Sequence, residues 1–292
     1  MPSVIGCWRL PPYLSALKLL TSDLPLMPIL DDILATTRDT IATRRRNVTR
    51  AALEAAEGFV RPVLDFEAGL RAPGVAFIAE SKKRSPSKGL LREAYDPAGI
   101  VEQYAEAGAA AASVLTEPDF FDGAPEHLQA ARLAAPTLPL LRKDFVVDEY
   151  QLYEARAWGA DAVLLIAAAL DRTHVRDLQD VASGLGLHVL LEVHDPFELD
   201  RVDFDRTRIV GVNHRDLRTF ELDLGRSAEV FQFLPAAIVR VAESGLTDAA
   251  SIVTVARAGA DAVLVGEAFM REPAPGDALR RLRDEVAERL DT

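Results

Sequence analysis

The segment Ala157-Trp158-Gly159-Ala160-Asp161-Ala162-Val163-Leu164-Leu165-Ile166 decides how this chain is built. A glycine placed to end a helix in the left-handed conformation leads into a short, continuous apolar run, the mark of a strand buried on both faces. The pattern recurs. Arg257-Ala258-Gly259-Ala260-Asp261 runs into Ala262–Val265, and Glu106-Ala107-Gly108-Ala109 runs towards Ala112–Leu115. The three glycines lie about 51 and about 100 residues apart, close to two and four strand–helix units. Further apolar runs at Val75–Ala79, Leu138–Leu141, His188–Val193, Ile209–Val212 and Ile238–Ala242 bring the number to eight. Roughly 218 residues hold them, about 27 per unit, which suits a strand, a helix and two short loops. The expected fold is α/β, a (β/α)8 TIM barrel. An open doubly wound sheet is the alternative, but no Gly-x-Gly-x-x-Gly or Walker-type loop follows the first run.

Composition narrows the function. The 292 residues carry 33 Lys and Arg against 45 Asp and Glu, a net charge of −12. That balance argues against nucleic acid or an anionic membrane as partner, though a site can still be locally positive. No apolar run reaches the roughly 18 residues that a membrane span needs. The single cysteine, Cys7, excludes an internal disulfide framework and a Cys-rich zinc site. A reducing cytoplasm is the expected compartment. Residues 1–27 are broken by Pro2, Pro11, Pro12 and Pro25 and read as an extension with no evident role, with Met27 an alternative start. Residues 28–292 read as one barrel domain with a helical lead-in. In that lead-in Ile29, Leu30, Ile33, Leu34 and Ile41 recur at helical spacing, predicting an extra helix through Asn47. Arg44, Arg45 and Arg46 suit its negative pole.

A barrel places its chemistry at the C-terminal strand ends. There the sequence offers Glu80 and Lys82, then Lys143, Glu192 and Asn213. Two acids and two lysines on one mouth push each other's pKa values apart and supply both an acid and a base. Lys143, flanked by apolar strand positions, is costly without a task. Ser244-Gly245 and Gly266-Glu267 end the last two strands with the small residues that suit a phosphate. Lys83, Arg84 and Lys88 fit either a second anionic group or a solvated loop. The expected ligand is a phosphorylated, carboxylated small molecule. Glu117 and Glu267, taken singly, read as solvated or paired charges. The five histidines show no metal-ligand spacing, and His194 and His214 are the two nearest the mouth. Ser85 and Ser244 have no evident His–Asp partners, which disfavours a nucleophilic triad.

Together Ile78-Ala79-Glu80-Ser81-Lys82-Lys83-Arg84-Ser85-Pro86-Ser87-Lys88-Gly89, Leu141-Arg142-Lys143-Asp144-Phe145, Leu191-Glu192-Val193-His194, Gly211-Val212-Asn213-His214-Arg215 and Ala242-Glu243-Ser244-Gly245 are specific. From about Ile29 to Met270 the chain resembles the indole-3-glycerol phosphate synthases, ring-closing enzymes of tryptophan biosynthesis. The resemblance implies conversion of 1-(2-carboxyphenylamino)-1-deoxyribulose 5-phosphate to indole-3-glycerol phosphate, CO2 and water, by a monofunctional lyase. It implies Lys143 as general acid towards the ketone, Lys82 and Glu192 as the acid and base that remove water, and Glu80 and Asn213 as orienting groups. It implies substrate binding by Ser85, Ser87, Phe145, Arg215, Ser244, Gly245, Leu264, Gly266 and Glu267. His214 departs from the Asn or Ser often found there in the family. The resemblance also implies no metal, no organic cofactor, and a monomer or weak homo-oligomer. One rival is a sugar-phosphate isomerase working with a Cys–Asp or Asp–Asp pair, but Cys7 lies outside the barrel. The other is a non-catalytic barrel binding a phosphorylated ligand, which needs cations but not paired acids.

Overall fold

The computed structural model describes residues 28–217 and 219–291. The reading of residues 1–27 as an extension lies outside them. Eight parallel strands close into a barrel in sequential order: β1 Ala76–Ser81, β2 Ala111–Leu115, β3 Leu140–Lys143, β4 Ala162–Ile166, β5 His188–Val193, β6 Ile209–Asn213, β7 Val239–Glu243 and β8 Ala262–Val265, which pairs back onto β1. A two-residue antiparallel hairpin, Arg84–Ser85 with Gly89–Leu90, decorates the first loop.

The recurring glycine motif has a physical basis. Gly108, Gly159 and Gly259 adopt φ of 80°, 92° and 103°. The aspartate two residues on does the same job in two copies. Asp161 accepts a hydrogen bond from Leu140 N at 2.8 Å, and Asp261 from Arg240 N at 2.8 Å. Each ties the start of its strand to the preceding one. Aspartates start several of the helices: Asp96, Asp148, Asp171 and Asp248 each accept from a backbone N–H in the first turn.

Strand alternation sorts the residues into two cores. Outward positions such as Val114, Val163 and Val210 pack under the helices. Inward positions fill the barrel with Ile78, Leu141, Leu164, Leu190, Val241 and Leu264, and Phe66 and Leu70 of the helix Phe66–Leu70 belong to the same inner core. Two residues further along β1, β3, β5, β6 and β7, the same inward face carries Glu80, Lys143, Glu192, Asn213 and Glu243. The apolar filling therefore gives way to a polar layer at the C-terminal end.

The lead-in helix spans Pro28–Asn47. Leu30, Ile33, Leu34, Thr37 and Ile41 form its buried stripe. Arg44 pairs with Glu154 at 2.9 Å and Arg45 with Asp148, so two of the three terminal arginines dock the helix on Glu149–Ala157.

Most strand limits that differ from the apolar runs are displaced towards the C-terminus; β2 instead starts one residue earlier, at Ala111. The third strand begins at Leu140 rather than Leu138 and extends to Lys143. Pro139 has no N–H for the ladder, although its carbonyl still accepts from Ala112 N. Arg142 and Lys143, beyond the apolar run, belong to the strand, and each finds buried partners.

Candidate active site

The C-terminal mouth holds a cleft of about 1210 Å3, including its open entrance. Every residue expected to act or bind lies on its wall, from Glu80 and Lys82 on β1 and its loop to Gly266 and Glu267 after β8. The wall has three regions.

The floor is ionic. Lys143 Nζ lies 3.3 Å from Glu192 Oε2 and 3.6 Å from Glu243 Oε2. Burial works against its charge, but Glu192, Glu243 and Glu80 outweigh burial and hold the ammonium above the ordinary lysine value. Burial likewise opposes charge on Glu192. Lys143 and His194, with a hydrogen bond from Asn213 Nδ2 at 3.2 Å, overcome it and keep this carboxyl below its usual range. Glu243 goes the other way. Burial, then repulsion from Glu192 and Glu80, pushes it up to about 8 despite Lys143. Neither Glu243 oxygen has a hydrogen-bond partner among the described residues. Lys82 pairs with Glu80 at 2.5 Å. The floor thus brings two lysines against three carboxyl groups.

Glycines make room for these acids. A Cβ on Gly211 would fall 2.0 Å from Glu243 Oε1, and one on Gly266 would fall 2.5 Å from Glu80 Oε1. Side chains at those inward positions would displace the carboxylates.

One side is apolar. Leu30 and Ile33 from the lead-in helix meet Phe121, Phe145, Leu164 and Ile166. The rings of Phe121 and Phe145 lie 6.2 Å apart. The other side is small and polar. Ser244 and Gly245 take consecutive left-handed φ of 67° and 74°, and Gly266 precedes the turn of helix Glu267–Met270. Ser85 and Ser87 of the first loop and Arg215 after β6 complete the wall. In that first loop Lys83 and Arg84 reach towards Asp122 at 3.6 Å and 3.9 Å, and Lys88 towards Glu267 at 3.9 Å. The basic loop thus brackets the mouth through ion pairs rather than standing free.

Several expectations need correcting. Glu117 is not solvated; it is 2 % exposed and accepts from the N–H groups of Asp119, Phe120 and Phe121, capping Pro118–Phe121. His194 and His214 lie behind the cavity wall, not on it. His214 is fully buried, its Nδ1 2.9 Å from Ser244 O and its Nε2 2.7 Å from Ser227 Oγ, so it braces the left-handed turn from outside.

Sequence reading missed two features. Glu243 was legible in principle, since Val239, Val241 and Glu243 alternate onto one face. Arg142 gave no signal. It is fully buried, donates to Asp144 Oδ2 at 2.7 Å and to Gln151 O at 2.6 Å, and pairs with Glu154 at 3.3 Å. It braces the outside of β3 while Lys143 faces inside. Among the described residues no group of three His, Cys, Asp or Glu side chains is arranged to hold a metal ion.

A closed parallel barrel with an acid–lysine floor, an apolar wall and a small-residue rim defines a (β/α)8 enzyme of the acid–base type. Relatives make the class specific. The profile described as Indole-3-glycerol phosphate synthase matches residues 30–282. The indole-3-glycerol phosphate synthase of Salinibacter ruber is 49% identical over 260 residues, covering 89% of this chain and 96% of that one. The Burkholderia vietnamiensis protein of the same name is 48% identical over 258 residues, covering 87% and 98%. The chain belongs to the indole-3-glycerol phosphate synthase family. At the level of fold alone it is similar to the crystal structure of 3-hexulose-6-phosphate synthase from Salmonella typhimurium, with TM-score 0.56 at 12% identity over 73% of this chain and 99% of that one.

Proposed function

We propose that this cleft closes the indole ring of 1-(2-carboxyphenylamino)-1-deoxyribulose 5-phosphate, releasing CO2 and water, with Lys143 as the first acid. The observation that carries the reading is Lys143 Nζ set 3.3 Å from Glu192 and 3.6 Å from Glu243 on the cleft floor, beside an apolar wall. The aryl ring lies against Leu30, Ile33, Phe145 and Ile166, and the phosphate lies at Ser244, Gly245, Gly266 and Glu267. Leu264 supports the floor between them.

The aryl carbon bearing the carboxylate attacks the C2′ ketone. Negative charge builds on the ketone oxygen, and Lys143 donates its proton there. Loss of CO2 returns the bonding pair to the ring and restores aromaticity. The C2′ hydroxyl then leaves as water with a proton from Lys82, while Glu192 takes the proton from the neighbouring C1′ carbon. Glu192 suits a base because it stays ionised, and Lys82 suits an acid because Glu80 holds it in place. Asn213 fixes Glu192, and Arg215, Ser85 and Ser87 bind the substrate's carboxylate and hydroxyls. Each acid or base contributes about 10²–10⁴-fold. Residues from 28 onward suffice for this chemistry, which runs in the cytoplasm without metal or organic cofactor and without a nucleic-acid or membrane partner. No helix among the described residues is long and apolar enough to cross a membrane. The test is the appearance of indole fluorescence from that substrate in the presence of a chelator; its absence from folded protein refutes the reading.

A further inference from the structure

His194 follows β5 two residues after Glu192 and has no place in the chemistry above. Its ring is buried, 4 % exposed overall. Nε2 lies 3.5 Å from Glu192 Oε1 and Nδ1 lies 3.5 Å from Glu198 Oε2. Neither ring nitrogen has a hydrogen-bond partner among the described residues. Glu198, in the turn Pro196–Arg201, also accepts the backbone N–H of His194 at 2.8 Å, which fixes the ring between the two acids. We infer that His194 is a positively charged positioning residue that bridges Glu192 to Glu198 and keeps Glu192 ionised as the base.

The charges around the ring support this. Glu192 and Glu198 face it from either side. Asp195 adjoins it in the chain, and Arg226 from helix Gly225–Phe231 approaches its carbonyl at 3.4 Å. Burial and Arg226 oppose charge on the ring, while Glu198 and Glu192 outweigh them and raise its pKa above the ordinary histidine value. A neutral imidazole in this position would leave two buried carboxylates with one fewer counter-charge. Lys143 would then be the nearest cation left to Glu192, and it must serve the substrate. His194 thus frees Lys143 from being the sole partner of the base.

The inference rests on the proposed ring closure with Glu192 as base, so one measurement is independent of turnover. NMR titration of the ligand-free wild type, with the His194 signal assigned by its loss in His194→Gln, should show an imidazolium at pH 7. A neutral ring there overturns the inference whatever the activity. The second arm reads the pH profile of kcat/KM. His194→Gln should move the acid limb upward by about one unit and lower the rate by up to about tenfold at pH values below the wild-type limb, with little change above the new limb. His194→Lys, which keeps the charge, should move the limb back towards the wild-type position. Glu198→Gln should shift the limb in the same direction as His194→Gln, and the double variant should not add to it. A uniform loss of rate at all pH values, with the limb unmoved in folded variants, overturns the inference. Absence of turnover in the wild type with a charged ring would count against the reaction and not against the charge.

Discussion

Gly211 on β6 leaves the space that the carboxylate of Glu243 on β7 fills; a Cβ there would fall 2.0 Å from Oε1 and 3.2 Å from Leu190 Cδ1. A barrel strand normally projects a side chain at such an inward position. Here its omission lets an acid sit within 3.6 Å of Lys143. Gly211→Ala should therefore swing Glu243 away. Overpacking of this kind costs about 1–3 kcal/mol, which leaves a large barrel folded. The expected outcome is a clear fall in kcat with native circular dichroism. Unchanged kcat in steady-state assays would show that the Glu243 position does not matter.

Glu243 should also shape stability against pH. Its carboxyl is raised from 4.5 to about 8 by burial and by the neighbouring acids. The folded state then holds a proton that the unfolded chain has lost, so this contribution is complete below about pH 4.5 and disappears as pH rises through about 8. Thermal midpoints of Glu243→Gln should decline less between pH 5 and pH 8.5 than those of the wild type. Parallel slopes would show that the group carries no raised pKa.

Arg142 is a stability residue on the far side of the same strand. Its guanidinium serves Asp144, Glu154 and the Gln151 carbonyl with no solvent contact. Arg142→Met takes the shared cation from Asp144 and Glu154, leaving Asp144 with Thr116 and Phe145 N–H and Glu154 with Arg44, and should destabilise by about 3 kcal/mol. Chemical denaturation measures it directly. Replacing Asp144 by Asn in addition should recover part of the loss, since Asp144 is the carboxylate left without a cation.

These cases show where sequence reading works in this chain. The eight strands were legible because their residues are buried on both faces and leave long apolar runs. The lead-in helix was legible from Ile29, Leu30, Ile33, Leu34 and Ile41. Lys143 was legible because a charge in an apolar run needs a reason. Arg142 was not, because its partners Glu154 and Gln151 lie on the next helix, and only the folded chain brings them together. Apolar patterning ended β3 two residues early for the same cause. Glu117 reads in sequence as a solvated or paired charge because capping of Pro118–Phe121 depends on backbone geometry. His194 and His214 sat near the mouth in sequence but turn behind it, each held by groups on other elements.

The barrel and its lead-in helix should be self-sufficient. Leu30 and Ile33 line the cleft, and the helix from Pro28 is anchored by Arg44 and Arg45. A chain beginning at Met27 should keep kcat and KM within about twofold, a change under 0.5 kcal/mol by transition-state arithmetic. Removing Pro28–Asn47 as well should raise KM sharply, because part of the apolar wall goes with it. Steady-state kinetics on the two shortened chains checks both expectations.

The account stands on a protonated Lys143 delivering its proton to the ketone of the substrate. The most direct measurement follows indole fluorescence from 1-(2-carboxyphenylamino)-1-deoxyribulose 5-phosphate at pH 7.5, with chelator present, for the wild type and for Lys143→Met. The account predicts turnover by the wild type and a fall in kcat of about 10²–10⁴-fold in the folded variant. Wild-type turnover matched by Lys143→Met would contradict it.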